Sequence, residues 1–278
     1  MARLPNVRLD LTNKPENVLL VREALAGVAE TVGLDGSDLS DIRTAVTEAC
    51  NNVVLHAYSA DGGPLEVEIE LRGETTHVSV RDHGVGIGAD ALDGETDGGI
   101  GLPVIRALAS AVEFSEPPGG GTEVSMLFAT PAVRALPQAS GDLLELPVLA
   151  ETGEATTATV SVAPGELARA VIPRLLCVLA ARAHFSTDRI SDSQLLADAI
   201  VAHATGSLGG THLSMAVEVA PREIELRVGP LIAGRGERLL VDSDVQGLGR
   251  VLEKLADRHG VSSMGTHDTL TLSLSDRH

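Results

Sequence analysis

The chain has 278 residues, 44% of them hydrophobic, enough to bury an aliphatic core and long enough for two ordinary domains. Its formal net charge of -18 argues against a nucleic-acid partner, whose affinity rests on phosphate neutralisation, and suits a protein partner or a metal-nucleotide complex better. With one Tyr, three Phe and no Trp there is little for stacking sugars or single strands, and the two cysteines, Cys50 and Cys177, are too few for a disulfide framework or a zinc cluster and read as core.

The opening segment "MARLPNVRLDLTNKP" is charged and lacks the apolar centre of a signal peptide. No run of about 18 apolar residues occurs, so a cytoplasmic chain with no membrane contact is expected. Val7, Leu9 and Leu11 alternate with Arg8 and Asp10 as in a half-buried strand. Pro15 can open a helix that runs to a stop at Gly33, with Leu20, Ala24, Val28 and Val32 inward. Ser37 is the expected N-cap of a second helix, with Asp38 and Asp41 at the positive end of its dipole and Ile42, Val46, Ala49 and Val53 on its inner side. After a turn at residues 61–64, "LEVEIEL" alternates strictly, and "HVSVRD" gives a second strand that ends on Asp82. A Gly-rich loop, a helix from Ile100 to Val112 and a strand "TEVSMLF" follow. This order predicts an α/β chain of the α+β two-layer kind, with a mixed or antiparallel sheet and helices on one face.

Three polar groupings stand at the ends of these elements. In "TEACNNVVLHAY", Glu48, Asn52 and His56 follow at i, i+4 spacing and share a helix face, which is also what a solvated stripe looks like. In "RDHGVGIG", Asp82 ends a strand and is followed by Gly84, Gly86 and Gly88, which permit close backbone approach or form a plain loop. In "DGGIGLPVIRALA", Gly98, Gly99 and Gly101 precede a helix whose free N–H groups can hold an anion, although Gly-rich connections are more often only connections.

Jointly, the three groupings followed by Gly-Thr entering a strand resemble the GHKL (Bergerat) superfamily of ATPases and kinases. Within it, "DIRTAVTEACNNVVLHAY" is similar to the anti-sigma-factor serine/threonine kinases of bacteria, over roughly residues 5–130. The resemblance implies ATP and Mg²⁺ as cofactors, Asn52 as the metal-coordinating side chain and Glu48 as the base that activates the attacking hydroxyl. It implies Asp82 as acceptor for the adenine amino group, Gly84 and Gly86 as the close approach to the base, and Thr122 as its support from the last strand. Residues 87–97 would form the lid, closed by Gly99 and Gly101, with Leu102 among the nucleotide-binding residues, and Arg22 aligns with an arginine of the protein-contact surface. The lid "IGADALDGETD" departs from the pattern by being acidic, with no Lys or Arg, which makes binding firmer than fast transfer.

Residues 131–157 break the periodicity and read as a linker between an ATP-binding domain, 1–130, and a second domain, 158–278. The second half repeats the order of elements: "ATVSV" as a strand, a helix opened by Pro164, "ISDSQLLADAIVAHA" parallel to "LSDIRTAVTEACNNV", a hairpin in "HLSMAVEVAPREIELRVG", a third helix in "GLGRVLEKLADRHG" and a strand "DTLTLSL". With the helices aligned, Ala199 stands at Glu48, His203 at Asn52 and Pro230 near Asp82. The second copy is therefore expected to lack a nucleotide site, and a generic α/β domain of similar element order is the alternative. The resembled kinases work as homodimers, so a monomer with an intramolecular pseudo-dimer is expected. The leading function is an ATP-dependent serine/threonine kinase acting on an anti-sigma-factor antagonist in partner switching, with a sigma factor as a further partner. The alternatives are a nucleotide-sensing protein-binding module without transfer and a stand-alone sensor-kinase-like ATPase.

Overall fold

The computed structural model describes residues 4–59, 62–86, 101–130, 136, 143–144, 146, 156–245 and 249–276. The chain divides into two compact units, residues 5–138 and residues 139–278.

The first unit runs β1 (Val7–Thr12), α1 (Asn17–Val32), α2 (Gly36–Asn52), a π-helical turn (Val53–Ala57), β2 (Pro64–Arg72), β3 (Thr75–Asp82), α3 (Gly101–Leu108), β4 (Ala111–Ser115) and β5 (Glu123–Ala129). Its strands lie in the order β1-β2-β3-β5-β4, and each neighbouring pair is antiparallel. Alternation decides which face is covered. Val7, Leu9, Val67, Ile69, Val78, Val80 and Met126 are buried with Leu20, Ala24, Val28, Ile42, Val46 and Ala49 of the helices. The opposite face carries Arg8 bridged to Asp10, Glu66 and Glu68, partly covered charges that offset one another. Cys50 lies in the core, where burial pushes its thiol up to about 12, whereas Cys177 of the second unit is only half-buried.

Two local expectations are corrected. The N-cap of α2 is Asp35, not Ser37: its carboxylate accepts the N–H groups of Ser37 and Asp38, at 2.9 and 2.8 Å. The helix expected over residues 100–112 stops at Leu108, and Ala111–Ser115 forms the edge strand β4, whose entry is fixed by the Ser110 N–H bonding Leu127 O at 2.8 Å. An edge strand exposed on alternate residues buries too little apolar surface to announce itself in sequence.

The second unit runs β6 (Thr156–Val162), α4 (Glu166–Arg182), α5 (Thr187–Ala204), β7 (Leu213–Ala220), β8 (Glu223–Ile232), α6 (Arg235–Asp242), a two-residue ribbon β9–β10 (Asp244–Val245 and Gly249–Arg250), α7 (Val251–Leu255), β11 (Arg258–Met264) and β12 (His267–Ser275). Its main strands lie in the order β6-β7-β8-β12-β11, again antiparallel throughout. By position along the chain, both units read one, two, three, five, four. Here too the third helix is corrected: it covers only Val251–Leu255, and α6 and the edge strand β11 were not foreseen. Nearly every residue of β11 is exposed, so its sequence has no alternation to read.

Candidate functional site

The last turn of α2 carries Glu48 and Asn52, both half-buried, against the first residue of α3. A Cβ placed on Gly101 would lie 3.2 Å from Glu48 Oε2 and 3.4 and 3.7 Å from Asn52 Oδ1 and Nδ2. Gly101 is thus a seat shared by the carboxylate and the amide, and any larger residue would crowd them. His56 does not join this face. The helix widens into the π-helical turn immediately after Asn52, which rotates the following residues out of the i, i+4 row, and His56 is exposed.

The same turn leads to the second grouping. The Ala57 carbonyl accepts the Val85 N–H at 3.0 Å, and a Cβ on Gly84 would fall 1.9 Å from that carbonyl oxygen, so only glycine fits. Asp82 is 4% exposed at the end of β3. Its N–H bonds the Thr122 carbonyl at 2.9 Å, and its Oδ1 accepts the Gly84 N–H at 2.8 Å. Among the described residues no donor meets its other oxygen, which leaves a buried carboxylate with spare acceptor capacity. Gly121 has φ +91°, and a Cβ there would strike the Asp82 carbonyl at 2.1 Å. Thr122 is buried beside it, and Gly86, at φ +78°, faces the Gly121 carbonyl. Leu102 is the half-buried second residue of α3. Gly99 and the lid at residues 87–97 lie outside the described residues.

Tyr58 was not singled out from the sequence, although it is the chain's one tyrosine. Its hydroxyl accepts the His83 N–H and donates to the Pro64 carbonyl, both at 2.7 Å, tying the residue after Asp82 to the start of β2. Burial pushes the phenol up, with the charges of Asp82 and Glu66 adding and the His83 hydrogen bond opposing. His83 Nε2 in turn lies 2.9 Å from Glu66 Oε1. The signal available in sequence was a lone aromatic one residue beyond the helical turn.

Three helices on a five-stranded antiparallel sheet, with an amide and a carboxylate at one helix end and a buried Asp at a strand end, define a two-layer class of α+β protein. Residues 11–128 match the histidine kinase-like ATPase domain. More particularly, the chain is 26% identical over 132 residues to the serine-protein kinase RsbW of Bacillus mycoides (strain KBAB4), covering 43% of this chain and 82% of that protein. The same protein of Bacillus cereus (strain Q1) is 27% identical over the same span. The crystal structure of the RsbU and RsbW domains of Rv1364c from Mycobacterium tuberculosis is 25% identical, covers 47% of this chain and 35% of that one, and has a TM-score of 0.35. The first unit thus has the GHKL-type fold and resembles the anti-sigma-factor kinases. Among the described residues, no helix is long and apolar enough to cross a membrane.

Proposed function

We propose that the first unit binds Mg-ATP and transfers its γ-phosphoryl group to a serine or threonine of a protein partner, an anti-sigma-factor antagonist in a partner-switching system of the cytoplasm. One observation carries this: the seat at Gly101 holds Glu48 and Asn52 together while Asp82 keeps an unused oxygen at the other end of the same helix's extension. The spare oxygen of Asp82 suits the amino group of adenine, and the glycines at 84 and 121 let the Ala57 turn and the start of β5 pack directly against the end of β3 that carries it. Asn52 would hold the metal ion, which needs few protein ligands because phosphates and water supply the rest. Bound there, Mg²⁺ offsets charge on the phosphate oxygens. Glu48 would take the proton of the incoming hydroxyl as the hydroxyl oxygen bonds to the γ-phosphorus and the bond from that phosphorus to the β,γ-bridging oxygen breaks, releasing ADP.

The second unit is, in this proposal, a copy of the fold that does no nucleotide chemistry. The matching strand orders support common descent. Counting from the N-caps Asp35 and Ser186 sets Glu48 against Ala199 and Asn52 against His203. Counting from the hairpin closures, Arg72–Thr75 and Ala220–Glu223, sets Asp82 against Pro230.

Calorimetry with Mg-ATP tests the nucleotide site. One site per chain is expected, with affinity falling sharply in Asp82→Asn and Asn52→Ala. Wild-type affinity in both variants would overturn the assigned pocket. A specific feature favours a second reading, nucleotide sensing without transfer: residues 87–97 hold four acids and no Lys or Arg to meet a γ-phosphate. Labelled γ-phosphate that never reaches any partner protein would favour it.

A further inference from the structure

Consecutive amides at the end of β3 are each bonded to a different partner. The Asp82 N–H meets the Thr122 carbonyl at 2.9 Å, the His83 N–H the Tyr58 hydroxyl at 2.7 Å, the Gly84 N–H the Asp82 carboxylate at 2.8 Å and the Val85 N–H the Ala57 carbonyl at 3.0 Å. The Tyr58 bond is the one made by a side chain from outside residues 82–85. Its place in the sheet explains what it does. The β2–β3 hairpin closes on Arg72–Thr75, so hydrogen-bonded pairs fall on every second residue of β2 down to Glu66–Arg81, and the next would be Pro64–His83. Proline has no N–H, so that rung can hold a single bond, from the His83 N–H to the Pro64 carbonyl. The Tyr58 hydroxyl stands inside that bond, accepting from His83 and donating to Pro64, both at 2.7 Å. The ladder therefore ends at Leu65–Asp82, and the rung beyond it is opened by the width of an oxygen atom. The phenol ring is seated over Gly63, where a Cβ would come within 2.2 Å of it. Residue 83 is also held through its side chain, with His83 Nε2 2.9 Å from Glu66 Oε1 and Glu66 in turn 3.5 Å from Arg8.

We propose that Tyr58 and His83 are positioning residues for base selectivity: by filling the last rung and pinning the residue after Asp82, they fix the Asp82 carboxylate so that its unused oxygen selects a purine with an exocyclic amino group over one without it. The proposal rests on the nucleotide reading of Asp82. A carboxylate discriminates by hydrogen bonding only when it is held in one geometry, since a loose one finds water instead. Without the hydroxyl, the His83 N–H and the Pro64 carbonyl close on each other or take up water. The end of β3 then shifts, and Asp82 keeps its charge but loses its alignment. Neither Tyr58 nor His83 needs to touch the base or the phosphates for this, so removing them should spare a nucleotide that never used the amino contact.

The test uses the full chain and Mg²⁺ with two nucleotides, ATP and purine riboside triphosphate, which lacks only the amino group. Calorimetry should show the wild type binding ATP about tenfold tighter, the worth of one charge-assisted hydrogen bond. Tyr58→Phe, which keeps the ring over Gly63, should bring that ratio to about threefold or less by weakening ATP alone, with purine riboside triphosphate bound as in the wild type. His83→Ala should move the ratio the same way by less, since the backbone N–H remains, and His83→Gln, long enough to reach Glu66, should restore it. Loosened packing would weaken both nucleotides together and leave the ratio unchanged, and that result overturns the proposal. A ratio that is erased in Asp82→Asn but intact in Tyr58→Phe overturns it too, while the nucleotide reading of Asp82 stands. Equal affinities in the wild type, or no binding of either nucleotide, remove that reading and the positioning role with it.

Discussion

At the end of β3 the first unit keeps Asp82, a carboxylate with one oxygen unused; at the matching end of β8 the second unit keeps Pro230, which can neither donate from nitrogen nor accept through a side chain. The surroundings diverge with it. In the second unit a Cβ on Gly229 would lie 3.2 Å from Leu146, and one on Gly210 would lie 3.2 Å from Leu144 and 3.3 Å from Pro230, so apolar side chains fill the strand end. The acid has moved to another strand. Asp268 stands two residues before Leu270 as Thr122 stands two before Val124, and those residues pair with the equivalent Val228 and Val80. The Asp268 carboxylate accepts the Gly236 N–H at 3.1 Å and the Ser263 hydroxyl at 2.7 Å, and the N–H groups of Gly234 and Arg235 also lower its pKa. Its acceptor capacity is consumed by the start of α6. One strand order therefore carries a buried acid with one oxygen unused in the first unit and one fully bonded to its own chain in the second, and in the proposed function that difference separates a site from a stopper.

The largest effect should come from making the first unit resemble the second. Glu48→Ala, the residue at 199, is expected to lower phosphate transfer to a partner by about 10²- to 10⁴-fold while Mg-ATP affinity changes little, since a base acts on the nucleophile. Transfer of labelled γ-phosphate measured beside calorimetry checks both halves, and a matching loss of nucleotide affinity would sink the assignment of Glu48. Next, Asp82→Asn should weaken ATP by roughly 10- to 100-fold, because a charge-assisted hydrogen bond of about 1.5–3 kcal/mol becomes a repelling amide contact.

In the second unit the sign of the pH effect distinguishes a stopper from a site. Burial raises the Asp268 pKa, and the hydrogen bonds from Ser263 and residues 234–236 together outweigh it, leaving the carboxyl below its usual range. A folded value below the unfolded one of about 3.9 contributes stability above that pH and loses it as the pH falls through the folded value. Asp268→Asn should therefore cost about 1–3 kcal/mol at neutral pH and flatten the acid side of the stability curve below about pH 4. Chemical denaturation at several pH values checks this, and an unchanged acid slope would contradict the role.

Tyr58→Phe removes two hydrogen bonds near Asp82 and none in the second unit, so a several-fold loss of ATP affinity is expected, with about 1 kcal/mol per bond as the ceiling. The smallest expected effect is a null one. Restoring Ala199→Glu, His203→Asn and Pro230→Asp together should leave nucleotide stoichiometry at one per chain, because Leu144 and Leu146 still occupy the strand end and Asp268 still holds α6. A second binding event would show that the three side chains alone separate the units.

Periodicity in the sequence determined what repeats: the strands around Leu9, Val67 and Val80, the inner faces of α1 and α2, and the same pattern in β7, β8 and α5, because burying one face of a strand or helix imposes a spacing that survives in one dimension. The residue types at the helix and strand ends also marked Glu48, Asn52 and Asp82 as unusual there. The tertiary structure decided what depends on neighbours distant in the chain. Edge strands β4 and β11 exist because a partner strand offers hydrogen bonds, not because their side chains alternate. The π-helical turn that removes His56 from the row and the Tyr58 bridge from β2 to the loop after β3 are both fixed by contacts across the fold. Whether a buried acid keeps an unused oxygen or caps a helix is set by what donates to it: among the described residues the Asp82 carboxylate meets only the nearby Gly84 N–H, whereas Asp268 meets the start of α6, an element that local sequence pattern does not bring to it.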